Sequence, residues 1–372
     1  MFRRAPVSAV FIALVFLTLG VGADGANTSP SKLTERIIFQ SQREPAGLYS
    51  MAPDGSDVRP VPGSANAEFP RWSPDGSKIS FMSSVQGNWD IYTVSPDGSG
   101  LTRLTTDPAF DGYANWSPDG SRLVFIRGGD AGMFVMNADG SGVTHLGPGT
   151  RPSWSPDGSK IVFELDFNLW LMNADGSGVS PLSERPEAEY EPAWSPDGER
   201  IAFVDDVPGP WLHHLAIMVL NLQTWNLTEI SGSLESNSSP RWSPDSSQVV
   251  FSSLPERSAA GELYSVRTDG SELVQLTSYS GADWNPDWGL TTPLPPLPPP
   301  PPPPPAPRKC VVPRVIGLRL VSARTRISRA RCSVGRVRRT RSKRAGRVLA
   351  QNPSAGARRP VRTRVNLLVG RR

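Results

Sequence analysis

Histidine and cysteine are scarce in this chain of 372 residues, with three of the first and two of the second. That scarcity removes most metal and thiol chemistry, because a zinc site draws several such ligands at set spacings. Gly-x-Ser-x-Gly, His-Glu-x-x-His and Gly-Lys-Ser/Thr phosphate-loop signatures are missing as well, which removes the commonest hydrolase, metalloprotease and nucleotide-binding readings. His213 and His214 are adjacent in the 205–214 segment without a spaced third ligand, and His145 stands alone. No catalytic residue, metal or cofactor is therefore expected. After residue 22 no apolar run approaches the ~20 residues of a spanning helix, and from Arg308 onward there is neither Asp nor Glu.

What is present is repetition. Trp-Ser-Pro-Asp-Gly occurs at Trp72, Trp116, Trp154 and Trp194, returns at Trp242 with its Gly replaced, and has a degenerate sixth copy in Pro286-Asp287-Trp288. The intervals are 44, 38, 40, 48 and 46 residues, the length of a unit of four short strands. A second turn recurs inside the units as Pro53-Asp-Gly55, Pro96-Asp-Gly98, Ala138-Asp-Gly140, Ala174-Asp-Gly176 and Thr268-Asp-Gly270. Pro presets φ, Asp closes the turn through its side chain, and Gly takes the left-handed conformation. Calcium ligation is the weaker reading, since each turn offers one acid where Ca²⁺ takes six to eight oxygens.

Strands at Ile37–Gln40, Leu48–Met51 and Val58–Val61 lack a Trp strand before them, while Pro286–Trp288 lacks strands after it. Each completes the other, so an all-β six-bladed propeller with first-and-last blade closure is expected, its tryptophans wedged between blades. These repeats, with their Ile/Val-Ala/Val-Phe strands, resemble the TolB-type, WD-repeat-like bacterial propeller across residues 35–290. The resemblance implies a scaffold fold and leaves function open, because such propellers serve in partner binding, in peptidases and in envelope machines.

The chain begins with Arg3-Arg4, an apolar stretch from Pro6 to Gly22, and a small-residue site before Asp24. A signal peptide at 1–23 and export to the extracellular space or cell envelope are expected; an uncleaved segment would leave a membrane anchor. Residues 291–308 form a Pro-rich linker, with 12 prolines among the 15 residues from Pro293 to Pro307. Polyproline II at about 3.1 Å per residue makes that run a semi-rigid spacer of about 45 Å.

Residues 308–372 carry 21 Lys and Arg, so residues 1–307 hold 18 basic residues against 35 acidic ones. The net charge of +4 conceals two bodies of opposite sign. Val312-Pro-Arg-Val-Ile-Gly317, the 3, 4, 3 spacing of Leu320, Ala323, Ile327 and Ala330, Gln351-Asn-Pro353, Gly356 and Val365–Val369 resemble a PASTA module at 309–371. The resemblance implies a small α+β unit, a helix on a three-stranded sheet, associated with peptidoglycan fragments or with spacing. Cys310 and Cys332 are expected to form a disulfide, closing a loop of about 23 residues and stabilising by about 3 kcal/mol.

By elimination, the face opposite the Asp-Gly turns should carry recognition. Its candidate ligand-binding residues are Glu68, Asp111, Tyr113, Arg151, Glu189, Tyr190, Glu191, Asp283 and Trp284, together with Gln86–Trp89 and the 205–214 insertion. The expected partners are an envelope protein or peptide at that face and peptidoglycan or anionic cell-wall polymer at the basic module. Nucleic acid is not expected, because the basic segment lacks interleaved aromatics, and the chain is expected to be a monomer. The competing reading is a propeller enzyme of glycosidase or lyase type, with carboxylates facing each other across a funnel.

Overall fold

Each Trp repeat folds as one antiparallel sheet whose strand order follows the chain. The computed structural model describes residues 33–128, 132–183, 185–208, 214–234, 236–254, 260–294, 310–311, 313–330, 332–341, 343–353, 358–359 and 364–371. The expected signal peptide and nearly all of the proline spacer lie outside them. The chain divides into two compact units, Met1–Pro295 and Pro296–Arg372.

In the first unit the described residues form six four-stranded sheets. Five of them open with a strand that ends on the repeat's Trp: Ala67–Trp72, Asp111–Trp116, Thr150–Trp154, Glu189–Trp194 and Asn237–Trp242. The sixth combines the two ends of the unit. Thr34–Ser41 pairs with Asp283–Thr291 on one side and with Gly47–Met51 on the other, and Arg59–Pro60 follows. This composite sheet packs against the sheet of Ala67–Trp72 and also against that of Asn237–Trp242.

The second strand of every sheet is buried through its centre, with Phe39, Phe81, Phe125, Phe163, Phe203 and Phe251 at equivalent positions and almost no exposure. Apolar runs buried on both faces are what stacked sheets require. Trp154 packs on Val124 and Ile126 of the preceding sheet as well as on Ile161 and Phe163 of its own, and Trp288 packs on Val250 and Leu263. Large aromatics thus sit between sheets, and the Trp242 indole N–H ties two of them by donating to the Ala193 carbonyl at 2.9 Å.

The turn chemistry is explicit. Ser73 Oγ and the Ser77 N–H donate to Asp75, while the Lys78 N–H donates to Ser73 Oγ. Ser117/Asp119, Ser155/Asp157, Ser195/Asp197 and Ser243/Asp245 repeat the arrangement. The Ser117 hydroxyl and the Ser121 N–H and O–H lower the Asp119 carboxyl to about 2. Gly76 has φ +66°, and a Cβ there would lie 1.8 Å from the Leu290 carbonyl oxygen, so this glycine is required by both conformation and space.

One expectation is corrected. The segment 205–214, read as a long insertion, begins and ends in strand: Arg200–Val207 pairs through Val207 with His214 at the start of His214–Asn221. Alternating apolar residues continue further than the turn-forming residues suggested, leaving only 208–213 between the strands. His213 lies outside the described residues.

The second unit has an α-helix, Leu320–Arg329, with Ala323 and Ile327 buried against Val315, Cys332, Val348, Val365, Leu367 and Val369. Its three-stranded sheet places Arg364–Arg371 between Ser333–Arg341, which runs parallel to it, and Val348–Asn352. A short pair joins Cys310–Val311 to Arg358–Arg359. Among the described residues no helix is long and apolar enough to cross a membrane.

Candidate functional site

Three residues before each Trp, the leading strand breaks its ladder. Phe69, Tyr113, Arg151, Glu191, Ser239 and Asn285 all have φ between 50° and 54°, and the register shifts at the same point in each sheet. Five of the six are followed by Pro, which has no N–H to contribute to a ladder. A left-handed non-glycine residue is strained, and a bulge re-aims its side chain. Repeated in all six sheets, the device presents six equivalent side chains that touch in sequence.

The rings of Phe69 and Tyr113 meet edge to face at 4.5 Å. The Arg151 guanidinium lies 5.1 Å over Tyr113 and pairs with Glu191. Glu191 accepts the Ser239 N–H, Ser239 Oγ donates to Asn285 Oδ1 at 2.9 Å, and Asn285 Nδ2 donates to Gln40 Oε1 at 2.8 Å. Phe69, Tyr113, Arg151, Glu191 and Ser239 line a small cavity of about 20 Å³ with Arg71, Asn115, Pro152 and Arg241, roughly room for one water. Burial raises the pKa of neighbouring Glu164 against the opposing pull of Arg151.

The candidate residues divide into two sets. Tyr113, Arg151 and Glu191 come together in this ring, and Glu68, whose pKa burial raises, is hydrogen-bonded to Gln40 beside it. Tyr190 stands edge-on to Phe167 with centroids 6.0 Å apart, and Trp284 lies across Gly261. Asp111, Glu189 and Asp283, candidates for the face opposite the Asp-Gly turns, are buried. Asp111 is held bidentately by Arg127 at 2.7 and 2.9 Å, Asp283 by Arg43 at 2.5 Å, and Glu189 accepts from the Ser183 hydroxyl and the Leu169 N–H and forms an ion pair with Arg185 at 3.6 Å. Asp205 is likewise buried and paired with Arg185 at 2.8 Å. Burial raises the carboxyl pKa values of Glu189, Asp205 and Asp283. In the Gln86–Trp89 segment, Asn88 donates to the carbonyls of Asp107 and Ala109. The ring members missed in the sequence, Phe69, Ser239 and Asn285, share one legible signal: each begins an x-Pro-x-Trp tetrapeptide.

A larger cavity of about 350 Å³ lies where the leading strands run into their Asp-Gly turns, among Trp72, Trp116, Trp154, Trp194 and Trp288 and the prolines of the Trp-Ser-Pro motif. The face set aside in the sequence as turn chemistry thus carries the larger opening. Among the described residues no cluster of three or more His, Cys, Asp or Glu could hold a metal ion.

In the second unit Arg324, Arg326 and Arg329 on the helix and Arg336, Arg338, Arg339 and Arg341 on one strand are all exposed. Cys332 is buried and is not a free thiol.

Stacked four-stranded sheets with Trp between them, and residues of every leading strand linked in one run of contacts, define a propeller-type protein. The model of the TolB beta propeller domain matches residues 58–165 and 164–290, and that of the PASTA domain residues 311–371; the chain belongs to the TolB beta propeller family and ends in a PASTA domain. A Tol-Pal system protein TolB from Syntrophus aciditrophicus (strain SB) is 36% identical over 91 residues, 24% of this chain and 20% of that protein. The chain thus spans about a fifth or less of the curated relatives it matches. TolB from Acinetobacter baumannii superposes with a TM-score of 0.61 at 21% identity, covering 68% of this chain and 66% of that one. A putative TolB from Agrobacterium tumefaciens gives 0.52 at 20% identity, covering 70% and 98%.

Proposed function

We propose that this chain is an exported, monomeric, non-enzymatic binding scaffold of the cell envelope. Its signal peptide is 1–23, and a closed six-bladed propeller at 35–290 binds an envelope protein or peptide. A spacer at 291–308 then carries a module at 309–371 that engages peptidoglycan or anionic wall polymer. The observation that carries the reading is the ring of Phe69, Tyr113, Arg151, Glu191, Ser239 and Asn285, six strained and chemically diverse side chains gathered at one end of the leading strands. Strain held in common at one place is characteristic of functional surfaces. Closure of the six sheets is supported by the composite sheet, which packs on both the first and the last Trp repeat.

A binding role fits the engagement of two carboxylates of the funnel: Glu191 by Arg151 and the Ser239 N–H, Asp287 by the Trp72 N–H at 2.7 Å. Neither is left unpaired to act as an acid or base. The relatives bear the name of the Tol-Pal system, consistent with envelope assembly. Cys332 is paired with Cys310, the only other cysteine. Capture of a discrete envelope protein by the immobilised mature chain, lost in Arg151→Glu and restored by Arg151→Glu with Glu191→Arg, is the expected outcome; capture indifferent to both variants would assign binding to another surface.

A further inference from the structure

One position before each Trp, two arginines and one aspartate face a charge imbalance. Arg71 is 7 % exposed, and among the described residues its hydrogen bond is to the carbonyl of its own neighbour Pro70, with no carboxylate within ion-pair distance. Arg241 donates to the Pro240 carbonyl in the same way; its Nε is buried without a hydrogen bond, 3.9 Å from Asp287 Oδ1. Asp287 already accepts the Trp72 N–H. Arg151 is answered by Glu191 and, at 4.0 Å, by Glu164, and among the described residues neither of these carboxylates is within ion-pair distance of Arg71 or Arg241.

Two buried guanidinium groups therefore share one partly committed carboxylate. Burial pulls Arg71 well below its ordinary pKa and Arg241 to about 10, the nearby arginines pulling in the same direction and Asp287 opposing. Both remain cations at neutral pH. An uncompensated buried charge is costly, by several kcal/mol per ion, and nothing in the packing requires arginine here: the equivalent positions in other sheets are Asn115, Ser153 and Ala193. Arg71 also borders both the narrow ring cavity and the 350 Å³ cavity beyond it. Pro74, Pro118, Pro156, Pro196 and Pro244 and the tryptophans form the apolar part of the wall of the larger cavity, and Ser73, Asn115, Ser195 and Asp287 line the rest with Arg71.

We propose that the larger cavity is a carboxylate site, in which an anion carried on an apolar body accepts hydrogen bonds from Arg71 within the field of Arg241, its body lying inside the proline and tryptophan collar. A carboxylate is the natural complement of a guanidinium fork, and the collar discriminates against a bare inorganic anion. The site opens at the turn end of the leading strands and adjoins the ring cavity through Arg71, but it does not depend on the assignment of the ring to partner binding. Asp287 is a competitor within it and sets the affinity.

Thermal unfolding of the full chain at constant ionic strength, titrated with benzoate and separately with its neutral isostere benzamide, tests the proposal. Benzoate should raise the melting temperature saturably and benzamide should not. Arg71→Met should weaken benzoate binding at least tenfold. Asp287→Asn, which keeps an acceptor for the Trp72 N–H, should tighten it severalfold, and this variant decides the matter if Arg71→Met does not fold. Equal responses to benzoate and benzamide, no response to benzoate, wild-type affinity in folded Arg71→Met, or unchanged or weaker affinity in Asp287→Asn would each overturn the site.

Discussion

The smallest repeated unit of this protein is a serine, an aspartate and a glycine closing one turn. The Asp119 carboxyl lies at about 2 because the Ser117 hydroxyl and Ser121 donate to its charged form, below the ordinary ~3.9 of an unfolded chain. The folded state therefore binds fewer protons, so this stability is complete above about pH 4 and is lost as pH falls through about 2. Asp119→Asn should flatten the acid limb of the stability curve, and Asp119→Ala should cost about 1–2 kcal/mol at neutral pH, both read from urea unfolding. An unchanged acid limb would show that the turn carboxylates do not govern acid sensitivity. Gly76→Ala should destabilise more, because it adds both φ strain and a collision with the Leu290 carbonyl; a loss above about 2 kcal/mol is expected. The turns were legible in the sequence because turn formation is local. The buried acids Asp111, Glu189 and Asp283 were not, since their partners Arg127, Ser183 and Arg43 lie outside the strands that carry them, and an acid beside a loop looks the same whether paired or free.

At the scale of elements, the tryptophans determine how sheets meet. Trp154 is 5 % exposed and packs on two sheets at once, so Trp154→Ala should cost about 3–5 kcal/mol. Trp194 is only partly buried, and its indole N–H donates to Gly198 in its own turn; Trp194→Ala should cost measurably less. Equal losses would mean that wedging does not set the contribution of these residues. Strand count and order followed from the 38 to 48 residue spacing, because period and length are properties of the chain alone. The bulge at Phe69, Tyr113, Arg151, Glu191, Ser239 and Asn285 was hidden because φ > 0 has no signature in a residue that is not glycine. Only its alignment across six repeats, with proline after five of them, makes it visible. In the C-terminal module the buried Cys332 beside the helix end should tie to Cys310, and Cys332→Ser should lower stability by about 3 kcal/mol, seen as a lower urea midpoint that reductant reproduces in the parent chain.

Across the whole molecule, charge separates the parts more sharply than fold does. The arginines of the helix and of strand Ser333–Arg341 in the second unit are exposed and no acid lies among residues 308–372, whereas acids in the first unit are largely consumed by turns and buried pairs. Attraction of the module to an anionic wall polymer should be screened over a Debye length of about 10 Å at 0.1 M salt and about 3 Å at 1 M. Release of the chain from isolated walls between those concentrations is expected, and retention at 1 M would assign anchoring to a different force. The propeller's role turns on the funnel ring. Its most direct test is photo-crosslinking of the full chain in envelope extract from a benzoylphenylalanine at Phe69, against a control at Leu101, which is 50 % exposed on an outer segment. We expect a discrete adduct from position 69, competed by unlabelled chain and absent from position 101; identical patterns at both positions, or no adduct at 69, would contradict a partner-binding funnel.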